Sequence, residues 1–251
     1  MFNAIVFDWD GTLVSCEEKI DLAIAKLCSQ FPKITKQYKA LIAKKKPSPG
    51  WIRKGFIASL PEDYLSYHFG IVAGLLTKTE GLAIDSAWSA ILSIFRESYL
   101  EARSKMLANL EKLYELSQCA TLYVVSNSEV GNIKLESKAL GIKRGSISFL
   151  GNAKKYDVAG LEPSILDIPA NRPKYHEVLN RIKEKHESVI VIGDNFSLDL
   201  VVPIAMGISI AYVPNPLTPK FVVRYIRKNR ITFGAINDIL DILITKKGVI
   251  S

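Results

Sequence analysis

Apolar residues fall along this chain in two rhythms. Short, β-branched runs stand at Ala4 to Phe7, Thr121 to Val125, Ser146 to Leu150, Ser188 to Ile192 and Ile208 to Val213. Apolarity that is continuous over so short a run predicts a strand buried on both faces. Between the later runs the spacing lengthens to that of a helix. Lys174 to Lys185 sets Val178, Leu179 and Ile182 on one face, and Leu198 to Ala205 reads as a further helix. Strand, helix and strand in alternation predict an α/β fold, a parallel sheet wrapped by helices.

From Ser15 to Lys105 the rhythm is helical almost throughout. Ile20, Ala23, Ile24 and Leu27 form one apolar stripe, and Ala87, Ile91, Ile94 and Phe95 form another. Pro47-Ser48-Pro49-Gly50 punctuates this stretch as a turn between helices. The pattern predicts a division of the chain, with residues 1–14 and 106–251 as the α/β core and residues 15–105 as a smaller, all-helical insertion after the first strand.

Composition narrows the picture only a little. With 251 residues, 48% hydrophobic and 23% charged, the chain can bury a substantial core. The longest apolar stretch, Leu198 to Val213, is broken by Asp199, Pro203 and Gly207, so no membrane span is expected. The amino terminus runs straight into a strand pattern without a basic leader, so a cytoplasmic location is expected. Cys16, Cys28 and Cys119 lack paired metal-ligand spacing and suggest neither a disulfide framework nor a zinc site. The formal net charge of +8 suits nucleic acid, an anionic membrane or a small anionic substrate alike. Part of that charge lies in the helical insertion, at Lys33, Lys36, Lys39, Lys44, Lys45, Lys46, Arg53 and Lys54. Such a run is ordinarily a solvated helix face, although its position also suits the steering of a phosphorylated substrate.

Chemistry enters at the strand ends, because an open parallel sheet binds its ligand outside the carboxyl ends of its strands. The first strand runs into Asp8-Trp9-Asp10-Gly11-Thr12, the second into Ser126-Asn127, and a later one into Gly193-Asp194-Asn195-Phe196-Ser197-Leu198-Asp199. Any one of these aspartates could be a helix cap or a turn former. Together they bring four carboxylates to one edge, where mutual repulsion calls for a divalent cation. Oxygen-only ligands favour magnesium, which would also clamp a phosphoryl group.

Asp8-Trp9-Asp10-Gly11-Thr12-Leu13-Val14 resembles the first motif of the haloacid dehalogenase superfamily. Val124-Val125-Ser126-Asn127 is similar to its second motif, and Gly193-Asp194 with Asp199 to its fourth. The helical insertion stands where that family carries its cap. The resemblance implies a Rossmann-like core with a helical cap, and a magnesium-dependent phosphatase acting on a small phosphorylated metabolite. It implies Asp8 as the nucleophile that becomes phosphorylated, and Asp10 as general acid and then general base. Asp8, the backbone carbonyl of Asp10 and Asp194 would hold Mg2+, with Asp199 close behind. Ser126 and Asn127 would bind the phosphoryl group, Gly11 would permit the sharp turn, and Thr12 would help to hold it. For the third motif, a cation that neutralises nucleophile and phosphate, Arg172 and Lys174 are equal alternatives.

Trp9 is expected to be a packing residue. A dehalogenase would not need Asp10, because halide leaves without a proton, whereas a phosphomutase would use the same residues as a phosphatase. A polyanion-binding protein on a decayed hydrolase fold should have lost these motifs, and neither a nucleic-acid nor a membrane partner is expected. The sequence is silent on oligomeric state.

Overall fold

The computed structural model describes residues 2–43, 64–99, 101–155 and 172–248. Within them the chain separates into two compact units, one comprising Met1–Ser15 with Lys105–Ser251 and the other Cys16–Ser104.

The larger unit is built on a six-stranded parallel sheet: β1 (Ala4–Phe7), β2 (Thr121–Val125), β3 (Ser148–Leu150), β4 (Val189–Gly193), β5 (Ser209–Tyr212) and β6 (Thr232–Phe233), in the order β3-β2-β1-β4-β5-β6. β1 lies between β2 and β4, Phe7 pairing with Val124 on one side and Ile192 on the other. The chain winds outward from β1 in one direction and then crosses to wind in the other. This reversal opens a crevice at the carboxyl ends of β1 and β4.

Alternation along β1 explains why the sheet is dry on both faces. Ile5 and Phe7 belong to one apolar cluster with Leu113, Leu116, Ile133 and Leu240, while Ala4 and Val6 belong to another with Tyr175, Leu179, Ile182 and Val222. Helices therefore cover both faces. They are Leu110–Ser117, Val130–Ala139, Pro173–Lys185, Val201–Ala205, Lys220–Lys228 and Ile236–Gly248.

The expected strands and helices stand close to where the apolar pattern put them, with three differences. The third strand begins at Ser148 rather than Ser146. The helix expected from Leu198 opens earlier, as a single π-helical turn over Phe196–Leu200, with the Asn195 side chain accepting from the Leu198 N–H. The edge strand Thr232–Phe233 is too short to carry a readable pattern.

The smaller unit contains the helices Glu17–Gln30, Pro32–Ala43, Tyr64–Glu80 and Ile84–Tyr99. The two expected stripes face inward, Ile20, Ala23, Ile24 and Leu27 on the first helix and Ala87, Ile91 and Ile94 on the last, where Phe95 is only half-buried. Each isoleucine or leucine among them, fully buried, contributes roughly 1.5–3 kcal/mol. Lys19 is also buried here, its ammonium 4.0 Å from the centre of the Tyr99 ring. Lys44, Lys45, Lys46, Arg53, Lys54 and the turn Pro47-Ser48-Pro49-Gly50 lie outside the described residues. No helix among the described residues is long and apolar enough to cross a membrane.

Candidate active site

Asp8 is the first residue beyond β1, and its N–H still donates to Ile192 O at 2.9 Å. The chain then turns at once. Leu13 and Val14 N–H both return to Trp9 O, and Gly11 N–H donates to Val14 O at 2.7 Å. This loop needs Gly11 at φ +88°, a conformation that side chains resist. Space is the second reason for glycine, because a Cβ on Gly11 would lie 2.4 Å from Asp194 Oδ2. Gly193 plays the matching part for Asp199, whose Cβ would stand 2.4 Å from a Cβ added there. Two glycines thus allow two carboxylates to approach the backbone. In Gly11→Ala it is Asp194 that must move, on top of backbone strain of about 1–3 kcal/mol. That variant should lose at least about tenfold in divalent-metal affinity by calorimetry, a larger effect than its fall in Tm.

Oxygen atoms of Asp8, Asp194 and Asp199 all lie within 4.8 Å of one another. Each is tied in place. Thr12 Oγ1 donates to Asp194 Oδ1 at 3.1 Å, Asn195 N–H donates to Asp199 Oδ2 at 3.0 Å, and Asn215 Nδ2 donates to Asp194 O. The Thr12 hydroxyl, expected to hold the turn, thus binds the carboxylate of the later motif. A cluster of hard oxygen donors this tight fits a divalent cation.

Among the described residues, the cation that the fold brings to Asp8 is Lys155, which is neither of the two expected. Its Nζ donates to Asp8 Oδ1 at 2.5 Å and to Asp199 Oδ1 at 2.7 Å, and its side chain is 2% exposed. Arg172 caps the helix Pro173–Lys185, and its guanidinium donates to Ser197 O, bracing the turn that carries Asp199. Lys174 lies one residue inside the same helix and is half-buried.

Lys155 reaches the site on a loop after β3 that clamps the loop after β2. Ala153 N–H donates to Ser126 O, Asn152 N–H to Ser128 O, and Lys155 N–H to Asn127 Oδ1 at 2.7 Å. Asn127 therefore positions the lysine backbone. Ser126 is buried, and its Oγ accepts from Ser128 N–H at 3.1 Å. The Ser128 hydroxyl, which motif reasoning passed over, donates to Asp10 Oδ2 at 2.9 Å.

Burial and charge act together on Asp8 and Lys155. Burial, followed by the charge of Asp199, pushes the Asp8 carboxyl up to about 7 against the pull of Lys155. Burial opposes the charge on Lys155, but Asp199 and Asp8 outweigh it and hold the ammonium well above the ordinary lysine range. Lys155 is therefore a fixed positive charge.

A family model for haloacid dehalogenase-like hydrolases matches residues 2–207. The chain belongs to that family of hydrolases. Solved structures of similar fold include a haloacid dehalogenase-like family hydrolase from Streptococcus pneumoniae, 19% identical, covering 96% of this chain and 98% of its own with a TM-score of 0.60. A candidate phosphatase from Clostridium difficile is 16% identical, covers 96% and 98%, and has a TM-score of 0.61. A magnesium-bound candidate hydrolase from Bacillus subtilis is 16% identical, covers 87% and 92%, and has a TM-score of 0.54. No curated protein matches the sequence.

Proposed function

We propose that the protein is a magnesium-dependent phosphatase that hydrolyses a small phosphorylated metabolite through an aspartyl-phosphate on Asp8. The observation that carries this reading is the unequal treatment of two carboxylates two residues apart, Asp8 bridged by buried Lys155 and Asp10 held by the Ser128 hydroxyl. One suits attack at phosphorus, and the other suits proton transfer.

In the first step an Asp8 oxygen bonds to phosphorus as the bond to the leaving oxygen breaks, and Asp10 delivers its proton to that oxygen. In the second step Asp10 takes a proton from water as the water oxygen bonds to phosphorus and Asp8 is released. Lys155 and the Ser126 hydroxyl offset charge on the phosphoryl oxygens throughout. Asp8, the Asp10 carbonyl and Asp194 would hold magnesium, with Asp199 behind them. The bound ion supplies charge neutralisation and a template for the phosphoryl oxygens. The helical unit, inserted directly after the nucleophile loop, supplies substrate selectivity.

A screen of phosphate release from sugar phosphates, nucleotides, phosphoglycolate and small esters, with and without magnesium, tests the reading. Absence of release from every ester would overturn it.

The metal assignment carries its own pH dependence. Because Asp8 titrates near 7 when folded against 3.8 as its ordinary value, the metal-free fold binds the extra proton, so this group's contribution to stability declines as pH rises across that window. A divalent ion reverses the penalty by favouring the carboxylate. Millimolar magnesium should therefore raise Tm more at about pH 8 than at about pH 5.5. Asp194→Ala should lose most of that rise. An equal rise at both pH values, or one retained in Asp194→Ala, would contradict the assignment.

A further inference from the structure

We infer that Glu136 is a positioning residue for the nucleophile loop, acting through the indole of Trp9; the inference rests on the phosphatase reading above. Trp9 stands between Asp8 and Asp10 in the chain, so any rotation of its backbone turns both carboxylates. Its side chain is fully buried. The indole N–H donates to Glu136 Oε2 at 2.7 Å, a bond between residues 127 positions apart. On another side the indole meets Phe149 of β3 edge to face, with ring centres 5.8 Å apart.

A merely space-filling role does not account for this arrangement. Glu136 lies on the helix Val130–Ala139 and is 9% exposed. Its helix packs into the same apolar cluster through Ile133, together with Ile142 and Ile147. A polar side chain that is buried needs a partner that an apolar one would not. Glu136 offers in exchange a hydrogen bond of defined direction. The second torsion of an indole is intrinsically broad, and the bond to Glu136 adds a directional constraint to that of packing.

The helix that carries Glu136 begins just after Ser126, Asn127 and Ser128. The bond from Ser128 to Asp10 and the bond from Trp9 to Glu136 therefore join the same two segments at two points. The nucleophile loop and the phosphoryl-binding loop are thereby held in one register. Loss of the second tie would let Asp8 and Asp10 drift relative to Ser126, and small drifts at reacting atoms are costly.

The test compares Glu136→Leu, Glu136→Gln, Trp9→Phe and the double variant Trp9→Phe/Glu136→Leu in the full-length protein. The indole proton–nitrogen resonance of Trp9 reports the hydrogen bond, magnesium titration reports the carboxylates, and steady-state turnover of an aryl phosphate reports chemistry. In Glu136→Leu the indole resonance should move upfield, magnesium should bind several-fold more weakly, and kcat should fall about 10–100-fold with KM within about twofold. Glu136→Gln keeps an acceptor oxygen and should restore most of all three. The double variant removes the buried donor together with its partner, so its Tm should recover while kcat stays low.

If the indole resonance shows the bond gone while magnesium affinity and kcat stay within about twofold of the parent, the inference fails. It fails equally if kcat recovers with Tm in the double variant, because the role would then be structural. Should Glu136→Leu not fold, Trp9→Phe decides the matter by magnesium affinity and kcat, both of which should fall as stated for Glu136→Leu, and Glu136→Gln by all three readouts. A parent protein that turns over no phosphoester would sink the phosphatase reading alone, since the resonance and the magnesium titration would still judge the positioning.

Discussion

Asp8→Asn should abolish turnover, lowering kcat by at least about 10⁴-fold, because the amide lacks the oxyanion that attacks phosphorus. The fold should survive. Burial and the neighbouring Asp199 charge already push the Asp8 carboxyl up to about 7, so a neutral isostere relieves a cost rather than imposing one. In metal-free buffer near pH 8 the variant's Tm should match or exceed the parent's. Asp10→Asn separates the steps further. It keeps the nucleophile and loses the proton shuttle, so an aryl phosphate, whose leaving group needs little protonation, should still phosphorylate the enzyme. The intermediate should then accumulate for want of a base, as acid-stable, hydroxylamine-sensitive phosphate on Asp8. Rapid quench with labelled substrate would show it. A phosphoenzyme formed by Asp8→Asn, or label recovered on Ser126, would overturn the mechanism.

Lys155→Met should produce the second largest loss, about 10²–10³-fold in kcat, since it removes a buried charge aimed at the atoms on which charge develops. Its ammonium contacts both Asp8 and Asp199. Without it these two carboxylates repel each other in a buried site, and metal-free Tm should drop and be partly recovered by magnesium. The folded lysine titrates above its ordinary value, so its stabilisation is present throughout the neutral range and is lost only at strongly alkaline pH. Comparison with the other two cations makes the test selective. Arg172→Ala should lower Tm more than it lowers kcat, because that side chain braces Ser197 O. Lys174→Ala should leave kcat within about twofold and Tm nearly unchanged. If Lys174→Ala proved as damaging as Lys155→Met, the assignment of the cation would be wrong.

Much of this protein is legible in its sequence, for reasons that are local. A strand buried on both faces must be apolar at every position, so Ala4–Phe7 and Val189–Gly193 announce themselves. A helix against a core must repeat every three to four residues, as Ile20, Ala23, Ile24 and Leu27 do. The carboxyl-end rule then puts Asp8, Asp10, Ser126 and Asp194 at one edge of the sheet.

Tertiary structure decided what depends on groups remote in the chain. Lys155 illustrates the limit most clearly. The strand before it was readable, and the carboxyl-end rule applied to that strand would have pointed to Lys154 and Lys155. The resemblance instead offers Arg172 and Lys174 alike. Nothing local distinguishes Lys155 from its neighbour Lys154, because the difference lies in clamps from Ser126, Asn127 and Ser128. The same holds for Trp9, which reads as packing and also hydrogen-bonds a buried carboxylate 127 positions away. Periodicity reports which face of an element is dry, since burial acts on each residue separately. Which donor meets which acceptor inside that dry space is set by how strands and loops are arrayed in three dimensions, and only the folded chain fixes that.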